Sequence, residues 1–222
     1  MDDVRARSKG PLKFWGLVFV FLFLTLGCKS VYYSTWEKLG KYKRDLLQSK
    51  VKQVRDDQKD TTEQLKDALT RLQQIYGFKG GEIEKMYRRL QSDYDSSAAK
   101  AEGLKKRIRE MDEIANDLFK EWETEAASIS TPSIRDQSRD QLRVTQQKYQ
   151  DLYATTTRAE RSIEPVLTKF HDYVLFFKHN LNAQAIGALQ GEASKIQVDI
   201  TKLIEDMNES IRQAEKFMKE TK

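Results

Sequence analysis

Apolar side chains recur at alternating steps of three and four along most of this chain, and few folds accommodate that spacing. From Leu47 the pattern runs through Val51, Val54, Gln58, Thr61, Leu65, Ala68, Leu72 and Ile75. On a helix these positions fall in one stripe, since a turn takes 3.6 residues. A stripe so long and narrow is stable only against the stripes of other helices. Gln58 and Thr61 put polar groups in its middle, as expected of a partly hydrated section or of a device that sets register. The helix is expected to begin near Val31, with Tyr32, Tyr33, Trp36, Leu39 and Tyr42 crowding its first turns.

Phe78-Lys79-Gly80-Gly81 breaks the stripe, because adjacent glycines favour a turn over a helix interior. A second seam then reads Ile83, Tyr87, Leu90, Tyr94, Ser97, Ala101, Leu104, Ile108, Met111, Ala115, Leu118 and Trp122. Ser130-Thr131-Pro132-Ser133 stops it; proline disfavours helix in the residue before it, and a Ser or Thr there can cap the next helix. The third seam is Ser138, Leu142, Thr145, Tyr149, Leu152, Thr156, Ala159, Ile163, Val166, Phe170, Tyr173 and Phe177. Pro165 lies inside it and has no N–H to donate, so a kink or short break is expected near Ser162.

The last boundary, Lys178 to Asn182, contains neither Gly nor Pro, and a continuous helix competes there with a turn. The turn divides the chain into segments of similar reach, which lets each cover its neighbour's apolar face. Asn182 would then cap a fourth helix carrying Ile186, Leu189, Ala193, Ile196, Ile200, Leu203, Met207, Ser210, Ala214 and Phe217. The expected fold is thus all-α: an elongated antiparallel bundle of three to four long coiled-coil-like helices, spanning about 31–76, 82–128, 133–179 and 183–219. In an up-down-up-down bundle the turns near 80 and 180 share one end, and the Pro132 turn and the C-terminus share the other.

Charge narrows the possible partners. Lys and Arg number 39 against 34 Asp and Glu, a formal net charge of +5. Setting aside residues 1–27, with four basic and two acidic side chains, leaves 35 against 32. Acidic and basic residues alternate along every segment, as in Arg107, Arg109, Glu110, Asp112 and Glu113, so no basic face suited to nucleic acid is expected.

Residues 1–27 read as an address. A basic stretch, Arg5 to Lys13, precedes the apolar run Phe14 to Leu26, in the layout of a secretory signal peptide. The run is short of the ~20 apolar residues that a spanning helix needs. Its end, Leu24-Thr25-Leu26-Gly27-Cys28, resembles a bacterial lipobox, although Thr25 and Leu26 depart from the usual aliphatic and small residues. The resemblance makes Cys28 the acylated first residue of a mature lipoprotein. No second cysteine exists, so a disulfide within the chain is excluded. Lys29 follows the cysteine, where lipoproteins retained at the inner membrane usually carry Asp; the expected address is therefore the cell envelope, at the outer membrane facing the periplasm. Tyr32, Tyr33 and Trp36 would rest at the headgroup level or close the base of the bundle core.

No grouping of residues suggests chemistry. His171 and His179 are the only histidines, two turns apart and without cysteine or a repeated Glu-x-x-His beside them. Neither a metal nor a cofactor is expected, and Gly80-Gly81 lacks the remainder of a phosphate loop. No catalytic residues are assigned, and an enzyme is not expected. Lys178, His179, Asn180, Asn182 and Gln184 form the densest run of hydrogen-bonding side chains; they are either a partner-binding turn or helix caps.

Gly27 to Gly40, followed by Lys43-Arg44-Asp45, resembles the start of an uncharacterised family of bacterial helical envelope lipoproteins. Leu118 to Glu125 and Val174 to Ile186 resemble it as well. The resemblance implies a helical body and an envelope location, and it assigns no activity. The expected function is that of a lipid-anchored structural or interaction protein, presenting a helical rod to another envelope component or to a second copy. The alternative is a lipid-binding or membrane-remodelling module whose bundle opens.

Overall fold

The computed structural model describes residues 43–76, 83–180 and 183–221, and every regular element among them is helical. They are α1 (Lys43–Tyr76), α2 (Ile83–Ser128), α3 (Pro132–Arg161), α4 (Ile163–His179) and α5 (Ala183–Glu220). The chain divides into Met1–Asp45, of which only the first residues of α1 are described, and Leu46–Lys222, which holds the bundle. Cys28, the signal-like run, Tyr32, Tyr33, Trp36 and the Gly80-Gly81 turn all lie outside the described residues.

Cross-helix contacts fix the topology. Lys50 meets Glu110 at 2.7 Å and Arg71 meets Asp93 at 2.5 Å, so α1 and α2 run antiparallel. Trp122 donates its indole N–H to Ser138 Oγ at 3.0 Å, and Tyr94 packs edge-on against Phe170, so α3 and α4 together run back along α2. Lys148 reaches Glu220 at 3.0 Å, Lys169 pairs with Asp199, and Lys59 meets Glu215 at 3.2 Å. α5 therefore lies antiparallel to both α1 and the α3–α4 pair. The result is an up-down-up-down four-helix bundle with its third strut broken in two.

The breaks have local causes. Pro132 occupies the first turn of α3, where its missing N–H costs nothing. Thr131 takes the extended N-cap conformation, yet its hydroxyl makes no capping bond; the turn is closed by the Arg135 N–H donating to the Thr131 carbonyl at 3.0 Å. α3 and α4 meet at Ser162, three residues before Pro165; Ser162 keeps a right-handed helical conformation (φ −72°, ψ −12°) and donates its N–H to the Arg158 carbonyl at 3.1 Å, so the break is a local disturbance of one residue. Pro165 has no N–H for the Arg161 carbonyl and its ring crowds that oxygen, so the helix cannot continue undisturbed. At Asn180 the chain leaves the helix, and the α4–α5 pairing through Lys169 and Asp199 shows that it reverses there.

The core follows the stripes. On α1, Leu47, Val51, Val54, Leu65, Ala68 and Leu72 are all at most 2% exposed. Leu142, Tyr149, Leu152, Ala159, Val166, Phe170 and Phe177 are buried on the α3–α4 strut, as are Ile196, Ile200, Leu203, Met207 and Phe217 on α5. α2 departs from the even stripe. Its buried side chains include Leu90, Leu104, Ile108, Met111, Ala115 and Phe119, whereas Tyr94, Ala101, Leu118 and Trp122 are only half-buried. A helix of 3.6 residues per turn slips relative to a strict seven-residue repeat, and along the 46 residues of α2 the contact line migrates from Leu118 to Phe119.

Candidate functional site

Two features of the bundle go beyond apolar packing. The first is a polar layer in mid-core. Gln58, Thr156 and Ser210, from α1, α3 and α5, are each fully buried. The Gln58 amide nitrogen donates to Ser210 Oγ at 2.8 Å, its carbonyl oxygen lies 3.2 Å from the same hydroxyl, and Ser210 Oγ is 3.0 Å from Thr156 Oγ1. Thr62 donates to the Gln58 backbone carbonyl at 2.8 Å, and Thr61 to that of Asp57 at 2.7 Å, so neither hydroxyl is left without an acceptor.

A satisfied polar layer adds little net stability, because each bond replaces one made to water. A buried donor or acceptor left without a partner costs about 1–3 kcal/mol. Sliding α5 along α1 by one repeat would strand all three side chains opposite apolar neighbours. The layer therefore discriminates between registers, as a buried polar position does in a coiled coil. Of its members, Gln58 and the adjacent Thr61 stand out in the sequence as interruptions of the stripe. Thr156 and Ser210 do not, because small hydroxyl residues are common at seam positions and only the assembled bundle shows their shared height.

The second feature is a groove of about 390 Å³ on the α2–α4 side, beside the Ser162 break. Its floor is Ala98, Ala101, Ile163 and Leu167, and the carboxylates of Glu102, Glu160 and Glu164 surround it. At one end Tyr94 stacks on His171 with ring centres 5.0 Å apart. Ala98 and Ala101 leave the space open, because their side chains end at the β-carbon and do not fill it.

Among the sequence-predicted site residues, Lys178 and His179 are exposed at the end of α4. Asn180 donates its side-chain amide to the Phe176 carbonyl at 3.0 Å, which makes it a helix cap. Asn182 lies outside the described residues, and Gln184 is helical with its side chain outside the description. The two histidines are not brought together as ligands: His171 faces the groove with Tyr94, and His179 is exposed. Among the described residues there is no group of three or more His, Cys, Asp or Glu able to hold a metal ion. No described helix is long and apolar enough to cross a membrane.

One buried titratable group is held far from its usual behaviour. The Tyr149 phenol, 3% exposed, donates to Asp112 Oδ1 at 3.1 Å and lies among Phe119, Tyr153 and Phe217. Burial pushes its pKa up, and the Asp112 carboxylate adds to the shift. Held neutral, the phenol is a hydrogen-bond donor to Asp112, which suits a structural role.

A family model described as a protein of unknown function (DUF2959) matches residues 32–221, covering all of the described bundle. Comparison with curated proteins gives no match, and comparison with solved structures gives none.

Proposed function

The chain belongs to this family of unknown function, and we propose that it serves as a lipid-anchored structural or interaction protein of a bacterial envelope. The observation that carries the interaction half is the register-locking layer of Gln58, Thr156 and Ser210. A bundle whose helices are held in one register keeps the spacing between its surface features constant. That is what a scaffold needs, and a module that must open to bind lipid does not. The anchoring half rests on the sequence: the basic and apolar run ending in Gly27-Cys28, with Lys29 pointing to the outer membrane and the periplasm. Acyl chains on Cys28 would hold the protein firmly, since each buried methylene adds about 0.8 kcal/mol of membrane affinity.

Fractionation of cells expressing the full chain, or residues 30–222 behind an ordinary cleavable signal peptide, tests this. The full chain is expected with the membranes, released only by detergent and carrying an acyl mass on Cys28; the anchorless chain is expected in the soluble periplasmic fraction. An unmodified Cys28 in the membrane-bound wild type would remove the anchor. Flotation of residues 30–222 with liposomes separates the readings, because tight binding without the anchor or the apolar run before it would support the lipid-binding module in place of the scaffold.

A further inference from the structure

We propose that the α2–α4 groove is a docking site for one basic amphipathic helix of a protein partner. This deepens the reading of the bundle as an interaction protein and rests on it. Three observations carry the inference.

The first is shape. From Tyr94 to Lys105 the groove follows α2 for twelve residues, eleven steps of 1.5 Å or about 16 Å. That accommodates about three turns of a helix lying along the seam, and the ~390 Å³ holds a few large apolar side chains. The alanines keep the floor deep, and Ile163 and Leu167, both buried, back it with apolar side chains.

The second is charge. The other long seams of the bundle are laced by ion pairs: Lys50–Glu110, Arg71–Asp93 and Arg107–Asp57 join α1 to α2, Arg139–Glu123 joins α2 to α3, Lys148–Glu220 joins α3 to α5, and Lys169–Asp199 joins α4 to α5. No such pair crosses from α2 to α4 among the described residues. There Glu102, Glu160 and Glu164 surround the floor, and their carboxylates make no ion pair among the described residues. His171 marks one end and Lys105 shares the other with Glu160, so the rim carries three carboxylates against one lysine. An apolar floor with a rim of unpaired carboxylates is complementary to a helix with Leu-type residues at i, i+3 and i+4 and Arg or Lys on its flanks.

The third is constancy. The groove lies between α2 and α4, which are held together by Tyr94 packing edge-on against Phe170 and stacking on His171 and by the buried Leu104, Ile163 and Leu167, so its floor and rim keep their spacing without a ligand. A preformed site loses little freedom on binding.

The test uses the purified full chain and a labelled helical peptide of about 15 residues, with leucines at three–four spacing and arginines on both flanks. A second peptide carries glutamates in place of the arginines. Binding is read by fluorescence anisotropy. The arginine peptide is expected to bind saturably and more weakly as salt rises, and the glutamate peptide not to bind. Ala98→Phe, which fills the floor, and E102Q/E160Q/E164Q, which neutralises the rim, are each expected to lower the affinity about tenfold or more. Circular dichroism checks the fold of Ala98→Phe; the rim variant alters only exposed or half-buried side chains and keeps the test decisive if Ala98→Phe fails to fold.

Equal affinity for the wild type and the rim variant, binding of the glutamate peptide, or no binding to the wild type would each overturn the proposal. Self-association of the wild type that Ala98→Phe abolishes, seen by sedimentation velocity, would overturn it in favour of a second copy as the occupant. The scaffold reading has its own test: a photo-cross-linking side chain at exposed Val144, away from the groove, that captures one defined envelope protein in cells would leave that reading intact while the groove is rejected.

Discussion

Tyr149 shows how one side chain can be both core and polar contact. Its ring packs against Phe119 and Phe217, edge to face, while its hydroxyl reaches Asp112. Tyr149→Phe keeps the ring and removes the bond, and is expected to destabilise the fold by about 0.5–1.5 kcal/mol at neutral pH. The effect should depend on pH with a definite sign. The folded-state pKa is raised above the ordinary value of 10.0, so the contribution of the neutral phenol is complete below that value and is lost as pH rises beyond it. Denaturant unfolding between about pH 9 and 11 should therefore show the wild type losing stability more steeply than Tyr149→Phe. Parallel curves for the two proteins would show that the phenol is not held neutral. At this same scale Asn180 caps α4, its side-chain amide donating to the Phe176 carbonyl.

Helix ends and breaks belong to the scale of elements, and each traces to a few residues. Pro165 is the cause assigned to the Ser162 break. Pro165→Ala supplies the missing N–H to the Arg161 carbonyl and removes the ring from its path. Amide hydrogen exchange over residues 162–166 is expected to slow as α3 and α4 join. Exchange as fast as in the wild type would assign the break to packing around it. The groove should narrow in the joined helix, since Ile163 and Glu164 immediately follow the break. The drift of the α2 contact line is also an effect of elements: Trp122 lies on the ideal seven-residue stripe but is half-buried, its indole N–H given to Ser138, while Phe119 and Ala126 enter the core.

For the whole bundle, the polar layer decides which of several similar alignments is adopted. Gln58→Leu alone leaves the Ser210 and Thr156 hydroxyls facing a methyl group and is expected to cost about 1–3 kcal/mol. The triple variant Q58L/T156V/S210A removes every stranded group, so its stability should return to that of the wild type or exceed it. Its specificity should not return. We expect the triple variant to form mixed oligomers by sedimentation, and its near-ultraviolet dichroism to weaken as side chains sample several packings. A monodisperse triple variant with a native near-ultraviolet spectrum would show that the ion pairs and loops suffice to set register.

The amino-acid sequence by itself determined that this chain is a set of long helices laid stripe to stripe, because a repeat of three and four is a property of consecutive residues. It also marked the stops, since Pro132 and Pro165 act on their own backbone neighbours. Gln58 was legible as an anomaly and as either a hydrated section or a device that sets register, but its partners were not. Only the tertiary structure decided that Thr156 and Ser210, far away along the chain, stand at its height and complete its hydrogen bonds. The groove was hidden for the same reason: Ala98 and Ala101 are unremarkable on α2 alone, and Glu160 and Glu164 are ordinary charges on their own helices. Periodicity tells each helix which face to bury; which side chains then share a level is set by how the helices align, and that depends on the summed packing of all of them.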